Sequence, residues 1–234
     1  MAPNPSDLAV AERAWRIRTA AFLILLAVVL LGGSGQIDWI AGTAYVLVNA
    51  AGHVITYRIL RKASPDLIVE RTSRFTRGAK PWDKVILLLI GVALPVPMYV
   101  IAALDVRYSW SHVSLAWQLA GFAMVIAGFA LILWAMVANR FFAATVRIQS
   151  ERGHTVISGG PYAYVRHPGY VGIIVYTMGT PLALGGTLAL WPAALQAVVL
   201  IVRTVLEDRM LRRELPGYAD YAGRVRARLL PMVW

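Results

Sequence analysis

Long apolar runs alternate with short connections of very unequal basic content, and this alternation restricts the chain to a helical bundle embedded in a membrane. A spanning helix needs about 20 mostly apolar residues, because in hydrocarbon every backbone polar group must be satisfied inside its own segment. Six such runs are read: residues 14–31, 38–60, 85–104 with Pro95 and Pro97 inside it, 113–137, 170–184 and 187–206. Only Gly185-Gly186 separates the last two, which read as a helical hairpin. With 59% of its 234 residues hydrophobic and 15% charged, the chain has too little polar surface for an ordinary soluble domain. Its length allows several spans and one modest polar region rather than a separate soluble enzyme domain, so any chemistry is expected at the membrane.

Charge placement sets the expected orientation. There are 23 Lys and Arg against 12 Asp and Glu, a net charge of +11, which in a soluble protein would suggest a nucleic-acid partner. Here Arg13, Arg16 and Arg18 precede the first run, and Arg58, Arg61, Lys62, Arg71, Arg74, Arg77, Lys80 and Lys84 fill the second connection. The alternate connections carry only Arg107. The remaining basic residues, from Arg140 to Arg166 and from Arg203 to Arg228, return to the first side. The positive-inside rule then puts both termini in the cytoplasm and explains the basic excess through lipid headgroups, without nucleic acid. The basic start of the first run looks like a secretory signal, but Gly32-Gly33-Ser34-Gly35 leads straight into another span, so it reads as a retained helix. A bacterial or archaeal inner membrane is the expected location. Without cysteine there are no disulfides, thiolate metal sites or Cys nucleophiles, and no metal is expected.

Two segments on the basic side hold more functional side chains than connectors need: residues 139–170 and 207–234. They flank the last hairpin, which returns the chain to the side it left, so a site built from both is geometrically easy. The first contains Gln149, His154 and the run Gly159-Gly160-Pro161-Tyr162, then Arg166-His167-Pro168-Gly169-Tyr170. Gly-Gly-Pro permits a tight turn, and Pro168 is suited to open a helix whose first amides, at Gly169, Tyr170 and Val171, are free for an anionic group. The second contains Glu207-Asp208, where the last run ends, then Pro216-Gly217-Tyr218, Tyr221 and Arg224. Interfacial anchoring by tyrosines and basic residues explains much of both segments equally well.

Gly160-Pro161-Tyr162, Arg166-His167-Pro168, Tyr170 and Gly172, then Glu207-Asp208, Leu211, Gly217-Tyr218, Tyr221, Arg224 and Pro231, resemble the isoprenylcysteine carboxyl methyltransferase superfamily, which includes phospholipid methyltransferases. The resemblance covers roughly the C-terminal two-fifths. It divides the chain into N-terminal spans, residues 1–136, and a methyltransferase core, residues 137–234. It implies an all-α, polytopic transmembrane bundle with methyl transfer from S-adenosylmethionine, the cofactor entering a pocket at the cytoplasmic face and a lipophilic acceptor arriving between helices.

Carried over by position, Gln149, His154, Gly160, Tyr162, Arg166, His167, Pro168 and Tyr170 become cofactor-side residues, with Tyr218 and Tyr221 closing the pocket. Glu207 and Arg224 become the catalytic pair, Arg224 orienting an acceptor carboxylate and Glu207 holding Arg224 or the cofactor ammonium. An amine or thiol acceptor would instead need Glu207 or His167 as a base. The acceptor implied is a lipophilic small molecule or prenylated chain, or a membrane lipid. A small transporter or a non-catalytic scaffold is the alternative of another class. The polar residues inside spans, Asn49, His53, Gln118 and Gln196, read as helix-packing groups. Because the chain has no cysteine, the orientation is directly testable. Ser158→Cys should be shielded from a membrane-impermeant maleimide in intact cells and Ser109→Cys labelled; the reverse pattern would invert the topology.

Overall fold

The structure is a computed structural model and describes residues 3–72 and 78–231; Arg74 and Arg77 of the basic connection lie outside the described residues. Helix α1 spans Pro5–Ala27 and continues as a π turn over Val28–Gly32. Its start is set locally: the Asn4 side chain accepts a hydrogen bond from the Ser6 amide at 3.2 Å, and Pro5 occupies the first turn, where a missing N–H costs nothing. There follow α2 (Ile40–Ala63), α3 (Pro65–Thr72), α4 (Pro81–Leu88), a π turn over Leu89–Ala93, α5 (Pro95–Tyr108), α6 (Leu115–Ala138), α7 (Pro168–Leu184), α8 (Leu190–Glu214) and α9 (Tyr218–Arg224). Among the described residues there is no strand.

Among the described residues, four helical segments are long and apolar enough to cross a membrane: Pro5–Gly32, Pro81–Tyr108, Leu115–Ala138 and Leu190–Glu214. The two other runs read from the sequence also form helices, with different limits. Helix α7 has 17 residues, and α2 has 24 but carries Asn49 and His53 in its middle. Pro95 does not kink a continuous helix: it opens α5 directly after the π turn, where its missing amide is no loss.

Helices α6 and α7 make the closest pairing in the bundle, and four glycines explain it. A Cβ added at Gly128 would sit 2.7 Å from the Gly172 carbonyl oxygen, and one at Gly172 would sit 2.9 Å from the Gly128 oxygen. Gly121 and Gly179 face each other in the same way, each added Cβ lying 2.8 Å from the other's carbonyl oxygen. The glycines repeat at a seven-residue spacing on both helices, so one antiparallel seam lets the two backbones touch. Helix α2 is tied to α7 by a buried polar chain. The Tyr45 hydroxyl donates to the Tyr176 hydroxyl at 2.7 Å, and Tyr176 donates to Asn49 Oδ1 at 2.7 Å. Asn49, fully buried, also donates to the Tyr45 carbonyl at 2.9 Å, so its polar atoms serve helix packing.

At the far end of the bundle, Asp105 at the end of α5 accepts from the Ser111 amide at 2.8 Å and from its hydroxyl, and the Thr187 amide donates to that hydroxyl at 3.0 Å. This joins the α5–α6 and α7–α8 connections. Gly185, with φ of 85°, ends α7 in a left-handed turn and sends the chain back as α8. Gly128→Ala and Gly172→Ala are each expected to lower stability by about 1–3 kcal/mol through overpacking. Gly91→Ala, where nothing lies within 4 Å of an added Cβ, should leave the midpoint almost unchanged. Thermal unfolding in detergent reads both.

Candidate active site

The α7–α8 hairpin brings residues 139–170 and the C-terminal tail together, and one carboxylate fastens them. Asp208, fully buried on α8, accepts from Arg166 Nε at 2.7 Å and Arg166 Nη2 at 3.1 Å. It also accepts from the Tyr218 hydroxyl at 3.0 Å, Arg228 Nε at 3.1 Å and Arg212 Nε at 3.2 Å. Arg166 spends its remaining reach on the tail backbone, Nη1 donating to the carbonyls of Val225 at 2.7 Å and Arg226 at 2.6 Å. The Arg166 and His167 amides donate to the carbonyls of Ala227 and Arg228, each at 3.0 Å. A guanidinium so occupied is a strut rather than a free cation for a ligand.

A second clamp holds the other wall. Asp83, at the start of α4 and fully buried, accepts from Arg203 Nε at 2.9 Å and from the Val146 amide at 2.7 Å. Arg203 Nη2 also donates to the Ala144 carbonyl at 2.7 Å, so α4, α8 and the loop after α6 meet at one ion pair. Between the clamps opens a cleft of about 800 Å³, part of it open to solvent, and every residue lining it falls within 139–221.

Gln149, His154, Tyr162, Arg166, His167, Tyr170, Glu207, Tyr218 and Tyr221 line the cleft. Gly160, Pro168 and Arg224 do not: Gly160 makes the turn with φ of 59°, Pro168 opens α7, and the Arg224 side chain is exposed at the end of α9. The Glu207 carboxylate accepts from the Tyr170 hydroxyl rather than meeting Arg224. The His167 and Tyr170 rings stack at 5.7 Å with an interplanar angle of 4°, and Arg203 lies over the Tyr170 ring at 5.3 Å. Gln149 is committed to structure, donating to the Phe141 carbonyl at 2.7 Å and accepting from Arg152. His154 accepts from the Gln149 amide at 3.3 Å and packs its ring 4.6 Å from Phe141. The Tyr170 and Val171 amides, expected to be free at the start of α7, donate to the His167 carbonyl at 3.0 and 3.3 Å.

Local surroundings tune these groups. Burial, then the Arg147 and Arg152 charges, holds the His154 imidazole below its ordinary 6.5. Burial raises the Tyr162 and Tyr218 hydroxyls, with Asp208 adding to the effect at Tyr218, and Tyr221 is pushed up to about 12 mainly by burial. All three are therefore neutral hydrogen-bond donors at neutral pH. Tyr221 donates to the Tyr162 carbonyl at 2.7 Å, and Asn139 Nδ2 donates to the Tyr162 hydroxyl at 3.2 Å, so the wall is fixed before any ligand enters.

Comparison with known proteins locates the same region. The isoprenylcysteine carboxyl methyltransferase (ICMT) family matches residues 119–213. A protein-S-isoprenylcysteine O-methyltransferase of Schizosaccharomyces pombe is 42% identical over 52 residues, 22% of this chain and 22% of the relative. Probable protein-S-isoprenylcysteine O-methyltransferases of Oryza sativa subsp. indica and subsp. japonica are each 31% identical over 99 residues, 42% of this chain and 52% of the relative. Residues 119–213 are thus similar to the isoprenylcysteine carboxyl methyltransferase family. The aligned stretches span about half or less of the length of these curated relatives, which are eukaryotic and lend no support to a bacterial or archaeal source.

The family segment ends at residue 213 and begins at 119. Two clamp partners therefore lie outside it: Asp83 in α4, and the tail carbonyls that Arg166 holds. Asp208 adjoins Glu207 in the sequence, where its burial could not be read. Asp83 had no signal at all, because its partner Arg203 lies 120 residues away.

Asp208→Asn is expected to cost about 3–5 kcal/mol by leaving buried cationic partners uncompensated, and to release residues 218–231 to limited proteolysis while the bundle stays helical. The folded protein binds fewer protons at His154 than the unfolded chain does. The stability from His154 is thus complete above about pH 6.5 and is lost as pH falls below it. His154→Gln should flatten that part of the melting-temperature profile.

Proposed function

We propose that this chain is an integral membrane methyltransferase that binds S-adenosylmethionine in the cleft and methylates the carboxylate of a lipophilic acceptor of the isoprenylcysteine type. In this reading α2 and α7 join the four longer segments to make six spans. Both termini and the cleft mouth then face the cytoplasm, as the basic connections favour. The names of the relatives support the reaction class.

The observation that carries the reading is the charge at the base of the cleft. Glu207 is the acidic residue among those lining it, and the lining arginines are engaged elsewhere: Arg203 with Asp83 behind the wall, Arg166 with Asp208, and Arg147 with Glu70 and Glu151 at 2.8 and 2.6 Å. The Glu207 carboxylate suits a ligand carrying a sulfonium and an ammonium, and the His167–Tyr170 stack offers a flat face to an adenine or a cation. The Glu207 carboxylate and the aromatic face therefore suit the cofactor. When bound, S-adenosylmethionine supplies an electrophilic methyl group.

The protein's own contribution is position and exclusion of water. Tyr170 donates to Glu207 and holds the carboxylate toward the cleft, where it faces the cationic part of the cofactor. Arg203, its guanidinium fixed by Asp83, faces the acceptor carboxylate. We assign it this role in preference to Arg224, whose side chain is exposed beyond the cleft. A carboxylate oxygen already carries the attacking electron pair, so Glu207 orients and no proton is moved. His154, Tyr162, Tyr218 and Tyr221 form the neutral wall, and Gln149 and Arg166 brace it.

Calorimetry on detergent-purified protein tests the reading. Saturable binding of S-adenosylmethionine and S-adenosylhomocysteine is expected. Glu207→Gln should weaken S-adenosylmethionine about tenfold, the equivalent of about 1.4 kcal/mol. Turnover should be seen with a small S-prenylated cysteine and not with its methyl ester. Absence of saturable binding in a sample that unfolds cooperatively would overturn the assignment.

A further inference from the structure

Cations withdrawn from solvent are paired in this protein, with one exception. Among the described residues seven Lys and Arg side chains are partly or wholly buried. Six of them hold a carboxylate at 2.7 to 3.1 Å: Lys80 with Glu214, Arg147 with Glu70, Arg152 with Asp66, Arg166 and Arg228 with Asp208, and Arg203 with Asp83. The seventh is Arg71, half-buried in the last turn of α3. Its guanidinium lies 5.6 Å from the centroid of the Phe142 ring and makes no ion pair or hydrogen bond among the described residues. All 12 acidic residues of the chain fall within the described residues, so no further Asp or Glu is left to supply a counter-charge.

The surroundings of Arg71 place it next to the cleft. Leu67 and Ile68 of α3 are fully buried with Leu60 of α2 and Met136 of α6, and Phe142 packs on the same cluster. Phe142 in turn lies against the start of α7, where a Cβ added to Gly169 would meet its ring at 2.4 Å. Phe142 and Arg203 both line the cleft, and Arg71 stands one ring behind that wall. The last carbonyls of α3, which a basic residue in a final turn often serves, are taken instead by Arg18, whose guanidinium donates to those of Arg71 and Thr72 at 3.4 and 3.1 Å. Burial, then the Arg203 charge, lowers Arg71 to about 10. It therefore stays a cation at neutral pH, and the charge that bears on it is a second cation.

Two guanidinium groups brought together without a shared carboxylate make a positive region where screening by water is weak. An anion settling there relieves both the repulsion and the cost of desolvation. A sulfonium or ammonium is repelled from it and belongs with Glu207, whereas a carboxylate is drawn to it. We propose that Arg71 is a positioning residue for the methyl acceptor: its uncompensated charge behind Phe142 makes the Phe142–Arg203 side of the cleft positive, holds the acceptor carboxylate there and selects an anionic acceptor over a neutral or amine one. The identity of the ligand rests on the methyl-transfer reading. Arg71 lies outside residues 119–213, so the family resemblance does not assign it this role.

The test titrates the full chain in phosphatidylcholine nanodiscs with an N-acetylated, S-prenylated cysteine and, separately, with its uncharged carboxamide. The acid should bind more tightly than the amide. Arg71→Gln should weaken the acid about tenfold and leave the amide and S-adenosylmethionine within about twofold, the pattern of one lost charge interaction. Arg71→Lys should restore most of the preference. In turnover the loss should fall on KM, with kcat within about twofold. An unpaired charge withdrawn from water costs stability, so Arg71→Gln should melt at or above the temperature of the unaltered chain; a guanidinium kept only for packing on Phe142 would lower it. Arg71→Met keeps the apolar stem and supplies the same comparison should Arg71→Gln fail to fold.

Acid and amide that bind equally to the unaltered chain, or that lose affinity together in Arg71→Gln, would overturn the proposal. So would a melting temperature that phosphatidylglycerol raises in the unaltered chain but not in Arg71→Gln while acid binding stays the same, since the charge would then serve a lipid headgroup. The binding measurements need no turnover. Absence of S-adenosylmethionine binding would strike the methyl-transfer reading, while the acid–amide comparison would still decide for or against Arg71.

Discussion

The Asp208 carboxylate, itself closed to solvent, gathers three guanidinium groups and one phenol. It secures the tail over the cleft, because without it the buried Arg166 guanidinium would have no counter-charge and the Tyr218 hydroxyl would lose its acceptor. Removing an ion from water is expensive, and only a partner with good geometry offsets the cost. Arg166 meets that condition with a two-pronged contact to Asp208 and then reaches two backbone carbonyls of the tail. Three cations thus share one carboxylate at the rim of the cleft, while Glu207 lies with Tyr170 and Arg203 in its wall.

The opposite wall depends on the same kind of contact. Asp83 and Arg203 join α4 to α8 and to the loop after α6, so that part of the N-terminal half is needed to form a cleft whose lining lies entirely in the C-terminal half. Backbone contact between α6 and α7 along the four-glycine seam completes the frame. It holds the start of α7, with His167 and Tyr170, against the end of α6 and the loop that carries Phe141 and Gln149. A rigid frame suits a reaction in which rate comes from positioning rather than from proton transfer.

Several residues singled out by motif are held by internal hydrogen bonds. Gln149 and Arg166 are occupied by internal hydrogen bonds, and the early amides of α7 at Tyr170 and Val171 are taken by the His167 carbonyl. Arg224 stands outside the cleft, while Arg203, inside an apolar run and unremarked in the sequence, lines its base. Polar residues at a membrane exit look alike in sequence whether they bind a ligand or hold a loop. Only their hydrogen-bond partners distinguish the two cases.

The sequence by itself determined the helical class, the membrane setting, the basic side of the bundle and the two segments that make the site. These follow from local properties: runs of apolar side chains, the spacing of glycines and prolines, and the positions of Lys and Arg. Helix limits were legible at Pro168 and Gly185, whereas the run read from residue 14 begins as a helix at Pro5. Tertiary structure decided which charges pair, because partners such as Asp83 and Arg203 are brought together only when α4 packs on α8. It likewise decided that α2 and α7 are held by a buried tyrosine–asparagine chain. Those outcomes depend on distances between segments far apart in the chain, and neither composition nor periodicity encodes a distance.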